Sequence, residues 1–209
     1  MIGKRDLVLA VADVIALWTN DQYKGYLPRQ QSIDRKWFDR FVANWGVALT
    51  VLEKHRGDVL NYLNTDFRAK VGCCSDGTAI TAAARDIAAK QWTPMPEKSK
   101  EHSKPVSLVS KIAFFFRPDF FVPFDAWARK GLRAVNATGN SSYKTYEAYF
   151  ADFGPVYDTH KPEIERVIAS DWAVGLAEQL ACPETAMQSE AFKRKVLDNA
   201  LMRFGGRPL

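Results

Sequence analysis

Cysteine and histidine are scarce in this sequence, three of each. Cys73, Cys74 and Cys182 form an odd set with one adjacent pair. They provide no disulfide framework and predict a reducing, cytoplasmic setting. His55, His102 and His160 are too few and too scattered to suggest a ligand set with Cys, Asp or Glu, so no structural metal is expected. Long apolar runs are also missing: none approaches the ~20 residues a bilayer requires, and no membrane partner is expected. The opening residues 1–18 start like a signal sequence. However, Asp6 and Asp13 interrupt the apolar run and no small-residue cleavage site follows Trp18. The segment reads as an amphipathic helix of the mature protein. Neither a Walker loop nor a dinucleotide fingerprint occurs, and no cofactor is expected. Strict apolar–polar alternation never extends beyond about four residues, which argues against strands.

What is present is helical periodicity and an ordinary globular composition, 47% apolar and 25% charged. The net charge of +5 is modestly basic, which admits nucleic acid as a partner without requiring it. Helices are expected from Asp6 to Trp18, from Ser32 or Asp34 with Phe38, Phe41, Val42, Trp45, Leu49 and Leu52 on one side, and over Val59–Leu63. Others are expected from Asp76 or Thr78 to Lys90, and over Pro105–Phe116, Asp125–Val135, Tyr143–Tyr157, Pro162–Gln179 and Ser189–Phe204. The fold class is all-α. The 209 residues suit a single helical domain, or a subdivision into an N-terminal half 1–92, a connector 93–104 and a C-terminal half 105–209.

The segment Lys104–Arg129 concentrates the chemistry. Lys111 sits in a strongly apolar helix, with Leu108, Phe114 and Phe115 as its helical neighbours. Burying an ammonium among such residues favours the neutral amine, which is a nucleophile able to form a Schiff base. Asp125 follows Pro123 and Phe124 and opens the next helical run. An N-cap carboxylate there is held as an anion by free backbone amides and the helix dipole. Such an anion can orient a lysine, accept a proton or stabilise developing positive charge. The same two residues also suit a structural ion pair, with Lys111 snorkelling from a core helix and Asp125 serving only as a cap.

The pattern Lys111-x-Ala113, an apolar helix, then Pro118-x-x-Phe121-x-Pro123-x-Asp125-x-x-x-Arg129 resembles the catalytic half of the helix-hairpin-helix DNA glycosylases, in particular their 8-oxoguanine DNA glycosylase-like branch. The likeness covers about 30 residues closely and the all-helical setting loosely. It implies a compact multi-helix fold with a cleft between two helical halves, and a base-excision activity on duplex DNA, alone or with strand-cleaving lyase activity. By the resemblance, Lys111 is the nucleophile, Asp125 the activating carboxylate, and Arg129 the arginine that often follows it. The sequence departs from the family in three ways. Residues 105–110 read Pro-Val-Ser-Leu-Val-Ser, without the hairpin glycines that let backbone amides approach a phosphate. Asp125 follows Lys111 by 14 residues, roughly one helical turn closer than in the family. No iron–sulfur cysteine cluster follows.

A flipped base needs aromatic faces and polar groups around it. Phe114, Phe115 and Trp127 are candidates for stacking and Arg129 for a polar contact, while Ser107 and Ser110 are candidates to contact a DNA phosphate through their hydroxyls in place of the missing glycines. Lys104, Arg117 and Lys130 bracket the same segment as phosphate contacts. The C-terminal run docks Phe192, Val196, Leu197, Leu201 and Met202 on the core and offers Lys193, Arg194 and Arg207 to nucleic acid. The alternative function is a catalytically inactive glycosylase-like module that binds nucleic acid or protein, an alternative motivated by the missing glycines.

Overall fold

The computed structural model describes residues 2–19, 32–96, 104–136 and 143–206. Its regular structure is entirely helical among these residues. In chain order the α-helices are α1 (Lys4–Thr19), α2 (Arg35–Asn44), α3 (Arg56–Tyr62), α4 (Arg68–Cys73), α5 (Thr78–Ala89) and α6 (Val106–Phe116). They continue with α7 (Ala126–Val135), α8 (Tyr146–Ile168), α9 (Asp171–Gln179), α10 (Glu184–Met187) and α11 (Glu190–Phe204). Among the described residues no helix is long and apolar enough to cross a membrane.

Side-chain caps start most of the long elements. Asp34 accepts from the Trp37 amide at 2.8 Å, Asp125 from the Trp127 amide at 2.8 Å and Ser189 from the Phe192 amide at 3.2 Å. Each satisfies an amide that the first turn leaves without a helical partner. Asp76 holds both the amide and the hydroxyl of Thr78 ahead of α5.

Three expected boundaries move. The short helix expected over Val59–Leu63 is longer at both ends: helix runs from Arg56 through a π-turn at Leu63–Phe67 into α4. Leu49 leaves the apolar face and is 89% exposed, because α2 ends at Asn44 and Gly46, at φ +65°, turns the chain. The helix expected over Tyr143–Tyr157 and the first part of the one expected over Pro162–Gln179 join into α8, with Pro155 and Pro162 inside it, and the second breaks at Ala169–Ser170, leaving its remainder as α9. Both prolines and the residues four before them, Ala151 and Asp158, lie on the exposed side. The carbonyls freed by the missing N–H groups therefore face water, which lowers the usual cost of proline in a helix. The connector 93–104 falls mostly outside the described residues.

One apolar core runs from α1 to α11. Helix α11 lies at its centre, packing most extensively on α7 and α1 and also on α8. Two glycines let α7 and α11 approach backbone to backbone. A Cβ on Gly131 would sit 1.9 Å from the Leu201 carbonyl oxygen, and one on Gly205 would sit 2.1 Å from that of Trp127. On the other flank, Arg203 of α11 grips Asp13 of α1 through two nitrogens, at 2.9 and 2.7 Å. Helix α6 packs against α4 and α5 and carries Phe115 into the ring cluster of Trp37, Phe41 and Trp45.

Candidate functional site

Residues 108–115 of α6 are buried without a break, as expected for a helix that is apolar on every side. Lys111 is among them, only 6% exposed. Its Nζ donates to the carbonyl of Trp45 at 2.8 Å and lies 3.6 Å from Oδ2 of Asp125. Trp45 caps the C-terminus of α2. Its carbonyl belongs to the end of a helix, where unpaired carbonyls concentrate negative potential and attract a cation.

Asp125 divides its labour. One oxygen caps α7 through the Trp127 amide, and the other faces Lys111. Its side chain is 24% exposed, so the pair has a dry end at the amine and a wetter end at the carboxylate. The spacing is set by Ser110, which is fully buried. Its Oγ accepts from the Phe124 amide at 2.9 Å and donates to the Ser107 carbonyl at 3.1 Å, stapling the loop before α7 onto α6. The Tyr146 hydroxyl holds the same loop at Val122, donating to its carbonyl at 3.0 Å and accepting from its amide at 3.3 Å.

A second buried pair lies beside the first. Lys195 and Asp198, one helical turn apart on α11, meet at 2.5 Å and are 3% and 0% exposed. The Lys195 and Lys111 amines approach the same Trp45 ring, at 5.3 and 6.0 Å from its centre. Burial pushes the Lys111 amine below the ordinary lysine range. Asp125 opposes that shift, Lys195 adds to it and Asp198 opposes it. Burial also pushes the Asp198 carboxyl up, against the pull of Lys195. The buried Tyr149 hydroxyl is driven well above its ordinary value, first by desolvation and then by Asp198, with Asp125 contributing. Two buried atoms here, Oδ1 of Asp198 and the Tyr149 hydroxyl, lack a hydrogen-bond partner among the described residues.

The expected site residues separate into groups. Lys111, Asp125 and Ser110 come together as described. Phe114 and Phe115 are core residues, 1% and 2% exposed, whose rings face other side chains rather than an open pocket. Burial on both sides of α6 absorbs them. Arg117 turns inward: its Nη1 donates to the carbonyls of Val71 and Cys74, at 3.0 and 2.7 Å. Arg129 braces the Tyr143 carbonyl at 3.0 Å and lies 4.6 Å from the Phe124 ring centre. Ser107 is half-buried and contributes its carbonyl. Trp127 is half-buried, with the Lys130 amine 4.1 Å over its ring, while Lys104 and Lys130 are exposed.

On the C-terminal helix, Lys193 and Arg194 are not offered to a partner. Lys193 pairs with Glu165 at 2.7 Å, and Arg194 donates to the Phe120 carbonyl at 2.8 Å beneath Phe153 and Tyr157. Both are consumed because α11 is central rather than peripheral. Arg207 lies outside the described residues.

Lys195, Asp198 and Tyr149 went unrecognised in the sequence, as did the Trp45 carbonyl. The available signal was a last helix too charged for its apolar content. Among the described residues no group of three His, Cys, Asp or Glu side chains is arranged to hold a metal ion. Comparison with known proteins finds no matching family model, curated relative or solved structure.

Proposed function

We propose that this protein is a base-excision DNA glycosylase with lyase capability, in which Lys111 is the nucleophile and Asp125 the activating carboxylate. The observation that carries this reading is a dry lysine amine 3.6 Å from a carboxylate seated at the head of the next helix. A neutral amine is the reactive form, and desolvation favours it. A nucleotide flipped toward the wetter, Asp125 side presents its C1′ to that amine. As the C1′–base bond breaks, its electron pair leaves on the base, which takes up a proton. Asp125 stabilises the cation developing on the sugar. The Lys111 nitrogen bonds to C1′ and passes one proton to Asp125. Rupture of C1′–O4′, with a proton to O4′, then leaves an iminium between Lys111 and the opened sugar. Exposed Lys104 and Lys130 supply phosphate contacts.

Borohydride trapping on duplex DNA carrying an abasic site, and on duplexes carrying damaged bases, tests this reading. The expected result is a covalent adduct that Lys111→Met abolishes and Asp125→Asn reduces by about two orders of magnitude or more. An adduct that persists in Lys111→Met, or no adduct on any of these duplexes, overturns it.

The second reading, an inactive binding module on the same scaffold, is favoured by a different observation. The Lys111 amine already has a carbonyl and a carboxylate as partners, as a purely structural buried ion would. It predicts salt-sensitive DNA binding without any trapped adduct, and unchanged binding in Asp125→Asn.

A further inference from the structure

Four ionisable side chains from three parts of the fold converge near Trp45. Lys111 comes from α6, Asp125 from the head of α7, and Lys195 and Asp198 from α11. Helix α8 adds the Tyr149 hydroxyl, which senses both carboxylates, and α2 adds the Trp45 carbonyl and ring. The nucleophile–carboxylate chemistry uses only the first two groups. A buried ion pair is a weak device for stability, because desolvation offsets most of its Coulombic gain. A Lys195–Asp198 pair almost wholly shielded from water, one carboxylate oxygen of which has no hydrogen-bond donor, therefore calls for another role.

We propose that Lys195 and Asp198 are positioning residues for Lys111, a buried charge pair that sets how readily its amine gives up its proton. This inference rests on the reading of Lys111 as the nucleophile. The pair acts through the field it places on Lys111. The Lys195 ammonium shares the Trp45 ring with Lys111 and repels a second positive charge. The Asp198 carboxylate attracts one. Removing the carboxylate leaves two cations facing Asp125 alone, and removing the ammonium leaves two anions facing Lys111. The two deletions therefore have opposite signs, which a merely structural pair would not show.

The test follows the 13Cε resonance of Lys111 against pH in the full chain labelled at lysine, with Lys111→Met assigning the signal. Asp198→Asn is expected to lower the Lys111 midpoint, and Lys195→Met to raise it, each by about one pH unit or more. Lys195→Arg keeps the charge and restores the wild-type midpoint. The pH profile of borohydride trapping is expected to move in step. Midpoints that do not move, or that move in the same direction in both variants, overturn the proposal. If either variant fails to fold, the wild-type protein labelled at both lysine and aspartate decides. Its Lys111 resonance must show a second step where the Asp198 13Cγ signal titrates, and its absence overturns the coupling. The midpoint is read without DNA, so the two failures are distinguishable. Opposite midpoint shifts with no adduct leave the pair standing and remove the glycosylase reading. A trapped adduct with unmoved midpoints does the reverse.

Discussion

At Lys111 a single side chain couples folding to proton binding. Burial pushes its amine below the ordinary lysine range, so the unfolded chain binds that proton more tightly than the folded one. Over the interval from the folded value up to about 10.4, the unfolded state carries the extra proton, and stability rises with pH. Lys111→Met removes this contribution. Urea unfolding of both proteins from neutral pH to about 10 is expected to show wild type gaining on the variant as the pH climbs. The buried tyrosines, among them Tyr143 at about 12, act with the opposite sign at higher pH, but they are common to both proteins and cancel in the difference. A flat difference across the interval would mean that the folded amine titrates as it does in water. Asp125 makes a second prediction at this scale. Asparagine caps a helix as well as aspartate does, whereas alanine cannot. Asp125→Ala is therefore expected to lose about 1 kcal/mol more stability than Asp125→Asn in the same denaturation experiment.

The Lys111–Asp125 pair was legible in the sequence because its determinants are local: an apolar helix around the lysine, a proline-marked loop, and an aspartate where a cap belongs. The Lys195–Asp198 pair was not. A lysine and an aspartate three apart on a helix ordinarily read as a solvent-facing pair, and only the packing of α1, α7 and α8 around α11 turns them inward. The Trp45 carbonyl was out of reach for a different reason. It is a backbone acceptor, and its link to Lys111 spans 66 residues.

Between elements, the α7–α11 crossing sets the geometry, since the two charge pairs sit on these helices and α6. Gly131 and Gly205 mark the places where only a hydrogen fits. A methyl group at Gly131 would meet the backbone of Leu201, and no side chain can rotate away to make room. Gly131→Ala is expected to destabilise the fold by about 3 kcal/mol or more and to displace Asp125 from Lys111. Gly154, within α8, and Gly175, within α9, are open: a methyl group at either position would have no neighbour within 4 Å. Alanine at either is expected to add about 0.5–1 kcal/mol, because it favours helix and restricts the unfolded chain. Thermal unfolding of the three variants tests the contrast in sign. A neutral Gly131→Ala would show that the helices have room to separate.

For the molecule as a whole, the decisive quantity is how its positive charge is distributed between structure and surface. The net charge is +5, yet several of the cations are committed internally. Arg117, Arg129 and Arg194 donate to backbone carbonyls, Lys193 and Lys195 are paired with carboxylates, and Arg203 grips Asp13. Lys104 and Lys130 remain exposed at the two helices that carry Lys111 and Asp125. Binding to duplex DNA through these residues would release counterions, and each phosphate contact contributes about 0.9 to the slope of log affinity against log salt. Lys104→Ala and Lys130→Ala are therefore each expected to lower that slope by about one, the first without changing the melting temperature and the second at a cost of about 0.5–1 kcal/mol from its contact with the Trp127 ring. Arg117→Ala is expected to do the reverse, leaving the slope intact and lowering stability by about 1–3 kcal/mol as the Val71 and Cys74 carbonyls lose their donor. A salt titration of duplex binding beside a melting curve for each variant separates the two classes. Arg117 reducing the slope while Lys104 and Lys130 leave it unchanged would move the DNA-facing surface away from the Lys111–Asp125 pair and undercut the glycosylase reading at its largest scale.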